Sequence, residues 1–362
     1  MNGSVEKILK KDSFLKEDII ALLTLGEKEA GSLILKAQQI KARFVGKKVF
    51  LRGLIEYSNI CSKNCFYCGI RSGNSHYKRY VLTEGEVMEA ARYAYEHRIA
   101  SIVIQSGEQN NRRFTSTIET LLKKIHLLTG NNLHITLSLG EQTQETYRRW
   151  FDAGAHRYLL RIEVSNRKLY QRLHPSGNRN RFERRLEALD IIRKTGFQVG
   201  TGVMIGLPFQ TSSDLADDLI FFRNLDVDMV GMGPWIEHQE TPLYQHRHLA
   251  PLPHQRLELT LRMVATLRIM MKDINIAATT AMQAIDPSGR ERALIAGANI
   301  VMPNLTPARY RDNYLLYENK PNVQDQPDET LQALAKHIAQ AGDTIAFGEW
   351  GDSKHYCLRH DP

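Results

Sequence analysis

Three thiols crowd into one short run of this chain, Cys61-Ser62-Lys63-Asn64-Cys65-Phe66-Tyr67-Cys68. The only other cysteine, Cys357, stands far away near the end of the sequence. A cluster of three cannot pair off as disulfides without leaving one thiol over. So few cysteines point to a reducing compartment and away from a disulfide framework. Thiolates this close in sequence suit zinc or an iron–sulfur cluster. Both centres normally take four ligands. The second Cys or His pair of a zinc knuckle is not found nearby, which suggests an open coordination position and therefore catalysis.

The elements that must position these thiols are legible as alternating patterns. Apolar, β-rich runs fall at about 48–58, 101–105, 134–139, 157–164, 198–206, 229–236, 275–280 and 299–304. Helical patterns lie between them. Thr83-x-x-Glu86 is a capping box that opens a helix through Tyr95. Asp214 to Phe222 and His254 to Met271 carry apolar residues at helical spacing, and Leu331 to Ala341 reads as a last helix. Gly154 and Gly297, each inside an Ala-Gly-Ala run, read as helix stops just before a strand. Eight strands alternating with helices predict an α/β chain folded as a (β/α)8 TIM-type barrel. The Gly-x-Gly-x-x-Gly turn that would support a doubly wound open sheet does not follow the first strand. The expected division is an N-terminal helical extension over 1–45, the barrel over 46–345 and a C-terminal tail over 346–362.

A barrel of this kind puts its chemistry at the C-terminal ends of its strands. The cysteine loop follows the first strand directly. The other strand ends are polar: Gln105 to Glu108, Thr136 to Glu141, Arg157 to Glu163, Thr279-Thr280, and Met302 to Asn304. Buried polar groups are unfavourable unless partnered. A set of them on strand after strand predicts a bound polar ligand inside the barrel.

Bulk properties exclude several classes. The chain is 42% hydrophobic and 24% charged. No apolar stretch approaches the length of a membrane span. Met1 to Glu17 is polar, without the apolar core of a signal peptide, so a cytoplasmic protein is expected. The net charge is +8, but the basic residues read as spread, with Arg311 in a loop and Arg184 on a helix as solvated faces. An anionic small substrate or a cofactor carboxylate explains a few inward arginines better than nucleic acid does.

Cys-x3-Cys-x2-Cys resembles the signature of the radical S-adenosylmethionine (SAM) enzymes. Longer strings carry a finer resemblance: Arg52 to Asn59, Cys65 to Arg71, Arg79-Tyr80, Ser138 to Glu141, Gly206-Leu207-Pro208, Asp228 to Gly231, Ala278 to Met282 and Ala296 to Asn304. Over about residues 10–345 these strings are similar to the HydE maturases of [FeFe]-hydrogenase, with biotin synthase and methylornithine synthase as cousins. The resemblance implies that Cys61, Cys65 and Cys68 hold one [4Fe–4S] cluster whose fourth iron is chelated by SAM. It implies that Glu108, Ser138, Glu163 and Arg185 bind SAM, with Tyr67 near the adenine. Arg161, Thr279, Thr280, Met302 and Tyr314 fall on the substrate side.

The implied reaction is reductive cleavage of SAM to methionine and a 5′-deoxyadenosyl radical. Its implied setting is assembly of the hydrogenase di-iron subcluster. The substrate would be a small molecule or an organometallic iron–cysteine complex. An electron donor such as ferredoxin or flavodoxin and other hydrogenase maturases would be partners, with no nucleic acid and no membrane. Two departures stand out. No cysteine lies between 69 and 356, so one cluster is expected, and Ile162 stands where relatives often carry a histidine. Two other readings are a radical SAM enzyme acting on an amino-acid-like or sulfur-containing molecule, and a non-catalytic iron–sulfur carrier. A zinc-binding nucleic-acid module is a more distant one. Cys357 reads as a lone tail thiol.

Overall fold

The structure is a computed structural model that describes residues 2–321 and 327–360. The β-rich runs form parallel strands: β1 Lys48–Leu51, β2 Gly53–Ser58, β3 Ser101–Ser106, β4 His134–Ser138, β5 Ala155–Leu159, β6 Gln198–Thr201, β7 Met204–Ile205, β8 Met229–Val230, β9 Gly233–Pro234, β10 Asn275–Ile276, β11 Ile300–Val301 and β12 Thr344–Ile345. Seven of them make one sheet in the order β10-β8-β6-β5-β4-β3-β2. The eighth barrel position is β11. It pairs with β1 through Phe50 and Leu51 on one side, and meets Ala277 beyond β10 on the other. The curled sheet is thereby joined to itself, as the alternating pattern predicts.

The first predicted strand, 48–58, is broken at Arg52 into β1 and β2. Arg52 is fully buried and turns its guanidinium to the carbonyl of Gly351 at 3.2 Å. The short pair β7 and β9 extends the barrel wall toward its C-terminal mouth, with Met204 opposite Gly233.

Helices flank the strands. At the N-terminus α1 Asn2–Leu9, α2 Lys16–Leu23 and α3 Glu27–Phe44 come first. The outer layer follows with α4 Glu84–Glu96, α5 Arg112–Thr129, α6 Gln144–Asp152, α7 Arg167–Leu173, α8 Phe182–Thr195, α9 Ser212–Leu225 and α10 Pro253–Met270. The last part holds α11 Thr280–Ile285, α12 Gly289–Ile295, α13 Ala308–Arg311, α14 Pro327–Gln340 and α15 Lys354–His360. The Thr83–Glu86 capping box forms, with the Glu86 carboxylate 2.7 Å from the Thr83 nitrogen. Such a cap is worth about 1 kcal/mol. Gly154 and Gly297 take φ of +100° and +123°, so each helix stop has the left-handed residue that only glycine adopts without strain.

The N-terminal helices lie on the outer layer. Lys16 pairs with Asp217 of α9 at 2.6 Å, and Arg262 of α10 donates to the Leu23 carbonyl at 3.0 Å. The C-terminal segment lies at the opposite end of the barrel from the cysteine loop. Asn275 at the start of β10 donates to the Gly351 carbonyl at 2.9 Å, and Arg157 of β5 donates to the Trp350 carbonyl at 2.8 Å. In α15, His355 bridges Asp226 at 2.6 Å and Asp273 at 3.1 Å.

Candidate active site

The cysteine loop leaves the C-terminal end of β2, and its main chain is tied down on every side. Ser62 N donates to the Glu108 carbonyl at 2.8 Å, Phe66 N to Leu173 O at 2.9 Å and Gly69 N to Leu316 O at 2.9 Å. Arg79 acts as a clamp. Its guanidinium donates to four main-chain carbonyls, those of Asn59 (2.6 Å), Ile70 (2.8 Å), Arg71 (2.7 Å) and Asn74 (2.6 Å). Gly69 follows the last cysteine because nothing larger fits. A Cβ there would stand 2.0 Å from the Leu315 carbonyl oxygen.

The three cysteines are free thiols and half-buried. Burial pushes all three above the ordinary thiol range, Cys65 to about 12 with the neighbouring Cys61 adding to the shift. Cys61 Sγ accepts from the Glu108 nitrogen at 3.3 Å. Among the described residues, no three His, Cys, Asp or Glu side chains converge as the ligands of one metal ion do. An iron–sulfur cubane presents its irons on separate corners. Three cysteines spread along one loop fit it better than they fit a single zinc ion.

Behind the loop sits a buried charge network. Lys63, between the first two cysteines, lies 2.9 Å from Glu141 and 3.4 Å from Glu108, and also donates to the Arg179 carbonyl. Arg185 Nε holds the other oxygen of Glu141 at 2.7 Å and donates to the Arg161 carbonyl. Glu141 N donates to Glu108 at 2.9 Å. Burial raises the Glu108 carboxyl above its usual range, only partly offset by Lys63. For Glu141 burial acts the same way, but Arg185 and Lys63 outweigh it and hold the group low. The sequence alone assigns no site role to Lys63 or Glu141. Their signal was their place, one inside the cysteine motif and the other closing the Ser138 to Glu141 string.

Tyr67 is fixed by a defined proton arrangement. His174 Nδ1 faces the Tyr170 carbonyl at 2.8 Å and so carries the hydrogen. Its bare Nε2 therefore accepts from the Tyr67 hydroxyl at 3.2 Å. Burial keeps His174 neutral, with its pKa lowered to about 3. Phe66 and Tyr67 pack on a small apolar cluster of Val164, Leu169, Tyr170, Leu173, Trp235 and Leu243.

Glu163 follows β5 with φ of +68°, a conformation rare for a residue with a side chain. Its nitrogen donates to Gly202 O and its carbonyl accepts from Met204 N, both at 3.0 Å. Its carboxylate meets Arg161 at 3.1 Å, and Arg161 also donates to Val203 O at 2.8 Å. Ile162, between them, is fully buried in the main core. Ser138 ends β4 opposite Gln105.

On the far side of the mouth, Thr279 precedes α11 and lies 3.4 Å from the Met232 carbonyl. Thr280 accepts from Arg290 at 2.7 Å. Met302, half-buried, follows β11. Tyr314 is buried, with its hydroxyl 3.2 Å from the Gln105 amide. Tyr317, missed from sequence, is pushed up by burial and feels the charges of both Arg290 and Arg161. Glu108, Glu141, Arg185 and Lys63 thus form one network, and Arg161 with Glu163 a second joined to it through the Arg161 carbonyl. Arg311 is corrected from a solvated residue to a buried one, with Nε 2.7 Å from the Thr306 carbonyl, because α13 turns it inward. Arg184 is half-exposed and reaches Glu141 at 3.1 Å.

A small cavity of about 120 Å3 opens beside the cysteine loop, lined by Ser62, Glu108, Asn110, Arg179 and Arg184. A larger one, about 290 Å3, lies between α3 and the segment around Asp343, away from this site.

The model of the radical SAM superfamily matches residues 55–222. The [FeFe] hydrogenase maturase subunit HydE of Thermotoga maritima is 40% identical over 347 residues, which cover 96% of each chain. The chain belongs to the HydE family of radical SAM enzymes. As a member it uses a [4Fe–4S] cluster and SAM. The 3-methylornithine synthase of Methanosarcina barkeri is 24% identical to this HydE-family chain, over 93% of it and 92% of the relative. The crystal structure of methylornithine synthase (PylB) shares its fold, with a TM-score of 0.79 at 21% identity over 95% of this chain and 97% of that one. No helix among the described residues is long and apolar enough to cross a membrane.

Proposed function

We propose that this radical SAM enzyme acts in maturation of an [FeFe]-hydrogenase, on a small sulfur-bearing or organometallic iron–cysteine precursor of the di-iron subcluster. The observation that carries the reading is the 40% identity to HydE along 96% of both chains. The chemistry is concentrated in residues 46–345, with 1–45 as a helical extension and 346–362 as the C-terminal segment. Cys61, Cys65 and Cys68 hold three irons of the cluster. Bound together, the cluster and SAM supply a 5′-deoxyadenosyl radical by one-electron cleavage of the sulfonium.

The protein's part is to bind, orient and exclude. Arg185 pairs with the methionine carboxylate, since a guanidinium suits a bidentate carboxylate. Its anchor on Glu141 sets its orientation. Glu163 takes the ribose hydroxyls or the ammonium, with Glu108 and Ser138 completing the set. Tyr67, held by His174, faces the adenine. Arg161 anchors an anionic group of the substrate, and Thr279, Thr280, Met302 and Tyr314 line its side of the cavity. A closed barrel keeps water and stray hydrogen donors from a radical.

The test is anaerobic reconstitution with SAM and dithionite, followed by complementation of a maturase-deficient hydrogenase host. The reading expects 5′-deoxyadenosine and an active hydrogenase. Cleavage of SAM without rescue would leave an enzyme acting on another small molecule. A chain that holds its cluster but never cleaves SAM would be a carrier.

A further inference from the structure

Glu163 stands in a left-handed conformation, with φ of +68°, and the loop around it is gripped by one βα unit of the barrel, Gly202 to Asp218. The Glu163 nitrogen donates to the Gly202 carbonyl, and its carbonyl accepts from Met204 N, both at 3.0 Å. Arg161 donates to the Val203 carbonyl at 2.8 Å. Two further grips come from the first turns of α9, where Asp214 and Asp218 lie one turn apart on one face. Asp218 accepts from Ser165 N at 2.6 Å, and Asp214 accepts from the Asn166 side-chain amide at 2.6 Å. Asn166 in turn caps α7 through Lys168 N and Leu169 N.

Of these partners, Asp218 is the one that stability alone does not explain. Its side chain is wholly buried, and its second oxygen, Oδ2, has no hydrogen-bond partner among the described residues. The charges facing it are Asp214 and Asp217 of its own helix, both of which disfavour its ionised form, while Lys16 of α2 is turned to Asp217. Burial pushes its carboxyl up to about 7. A carboxyl raised in the fold takes stability away as pH climbs from its unfolded value, about 3.9, through that point. A neutral asparagine can accept the same bond from Ser165 without that loss. What only the carboxylate offers is a stronger acceptor, since a charge-assisted bond is shorter and tighter than a neutral one.

We propose that Asp218 is a positioning residue for Glu163. By holding Ser165 N it fixes the main chain two residues past Glu163, so that the left-handed turn persists and the Glu163 carboxylate stays beside Arg161, where SAM meets it. This rests on the reading above that Glu163 contacts SAM. Asp218 acts through the main chain and needs no contact with SAM itself. The grip is tighter when Asp218 is ionised, so the benefit to SAM binding grows with pH while the stability of the fold declines.

The experiment compares the reconstituted native holoenzyme with Asp218→Asn, and with Asp217→Asn as a control on the part-exposed side of the same helix. SAM binding is measured without reductant, by equilibrium dialysis, at pH 6 and pH 8, on either side of the value for Asp218. Asp218→Asn is expected to bind within about twofold of the native chain at pH 6 and about fivefold more weakly at pH 8, the difference between a charged and a neutral acceptor. Its Tm at pH 8 matches or exceeds the native one, its iron content is native, and amide exchange over residues 163–167 is faster. Asp217→Asn changes neither affinity nor exchange. A variant-to-native ratio of dissociation constants that is equal at both pH values overturns the proposal, because a merely structural defect weakens binding at both alike. Unchanged exchange over 163–167 overturns it as well. Native SAM affinity in Glu163→Gln would instead refute the SAM role of Glu163 on which the proposal rests. Should Asp218→Asn fail to fold, Asp218→Ser is measured in the same way, with the same growth of the ratio between pH 6 and pH 8 expected.

Discussion

Lys63 and Glu141 face each other across 2.9 Å at the barrel mouth, both almost wholly buried. Lys63 belongs to the loop that carries the cysteines, and Glu141 to the end of the strand region that follows β4. The pair makes the position of the loop depend on a wall of the barrel distant in sequence. Arg185 takes the second oxygen of the same carboxylate.

Removing that shared charge should loosen both partners. Glu141→Gln leaves Lys63 and Arg185 buried with less compensation, and a broken buried pair typically destabilises by about 3–5 kcal/mol. The expected outcome is a clear fall in Tm of the metal-free chain and less iron bound after reconstitution. A variant with native Tm and full iron would show that the pair does not hold the loop.

Arg79 should resist conservative replacement. Four main-chain carbonyls converge on its planar fork, and an ammonium cannot reach them all. Arg79→Lys is expected to lower iron content at least twofold while leaving far-ultraviolet circular dichroism unchanged. Full cluster loading would refute the clamp.

Glu163 combines an unfavourable backbone with a useful side chain. A left-handed conformation is unfavourable by about 1–2 kcal/mol for a residue with a Cβ, and glycine relieves it. Glu163→Gly should therefore keep or raise Tm while weakening SAM binding at least tenfold, by equilibrium dialysis. Strain retained at a mouth residue is a mark of function when the gain and the loss separate in this way. Unchanged SAM affinity would remove the carboxylate from the binding set.

Ile162 is packed in the core, and Arg161 and Glu163 on either side form the ion pair. Placing a histidine there buries an imidazole with no evident partner. We expect Ile162→His to lower stability by about 2 kcal/mol, with SAM cleavage per folded molecule unchanged. A gain in cleavage or a change of substrate would mean that the position reaches the site.

The helix α15 carries a pH-dependent fastening. Hydrogen bonds to Asp273 and Asp226 raise His355 to about 9, and Asp226, despite burial, is held at about 2 by its partners His355, Arg359 and Arg193. A histidine raised in the fold adds stability that is full below its unfolded pKa of about 6.5 and is lost as pH climbs through about 9. The aspartate adds stability above about 3.9 that is lost as pH falls toward 2. The Tm gap between the native chain and His355→Asn should be widest between pH 4 and 6.5, by the same reference values. It should close above pH 9. A gap that grows with alkaline pH would contradict the assignment.

The barrel was legible because its pattern is local: apolar runs, a Thr83–Glu86 capping box and glycine stops can each be read within a few residues. The thiols were legible because their spacing is itself the signal. Lys63 was not, because a lysine between two cysteines looks like any soluble surface residue until Glu141, 78 positions on, is brought to it. Arg311 misled for the converse reason. Its burial depends on carbonyls of Thr306 and Asn304 supplied by a turn that no periodicity announces. The break at Arg52 had no local cue either, since its partner is Gly351.

That last contact bears on how the chain is made. Arg52 is translated early, and the carbonyl it reaches belongs to a residue made almost three hundred positions later, at Gly351. Arg157 waits likewise for Trp350 and Asp352. Until those residues leave the ribosome, the nascent barrel holds two guanidiniums at its base without these partners. Completion of the floor therefore waits on residues 350–352, and a ribosome stalled short of residue 350 would present a chain with its strands made and its floor missing.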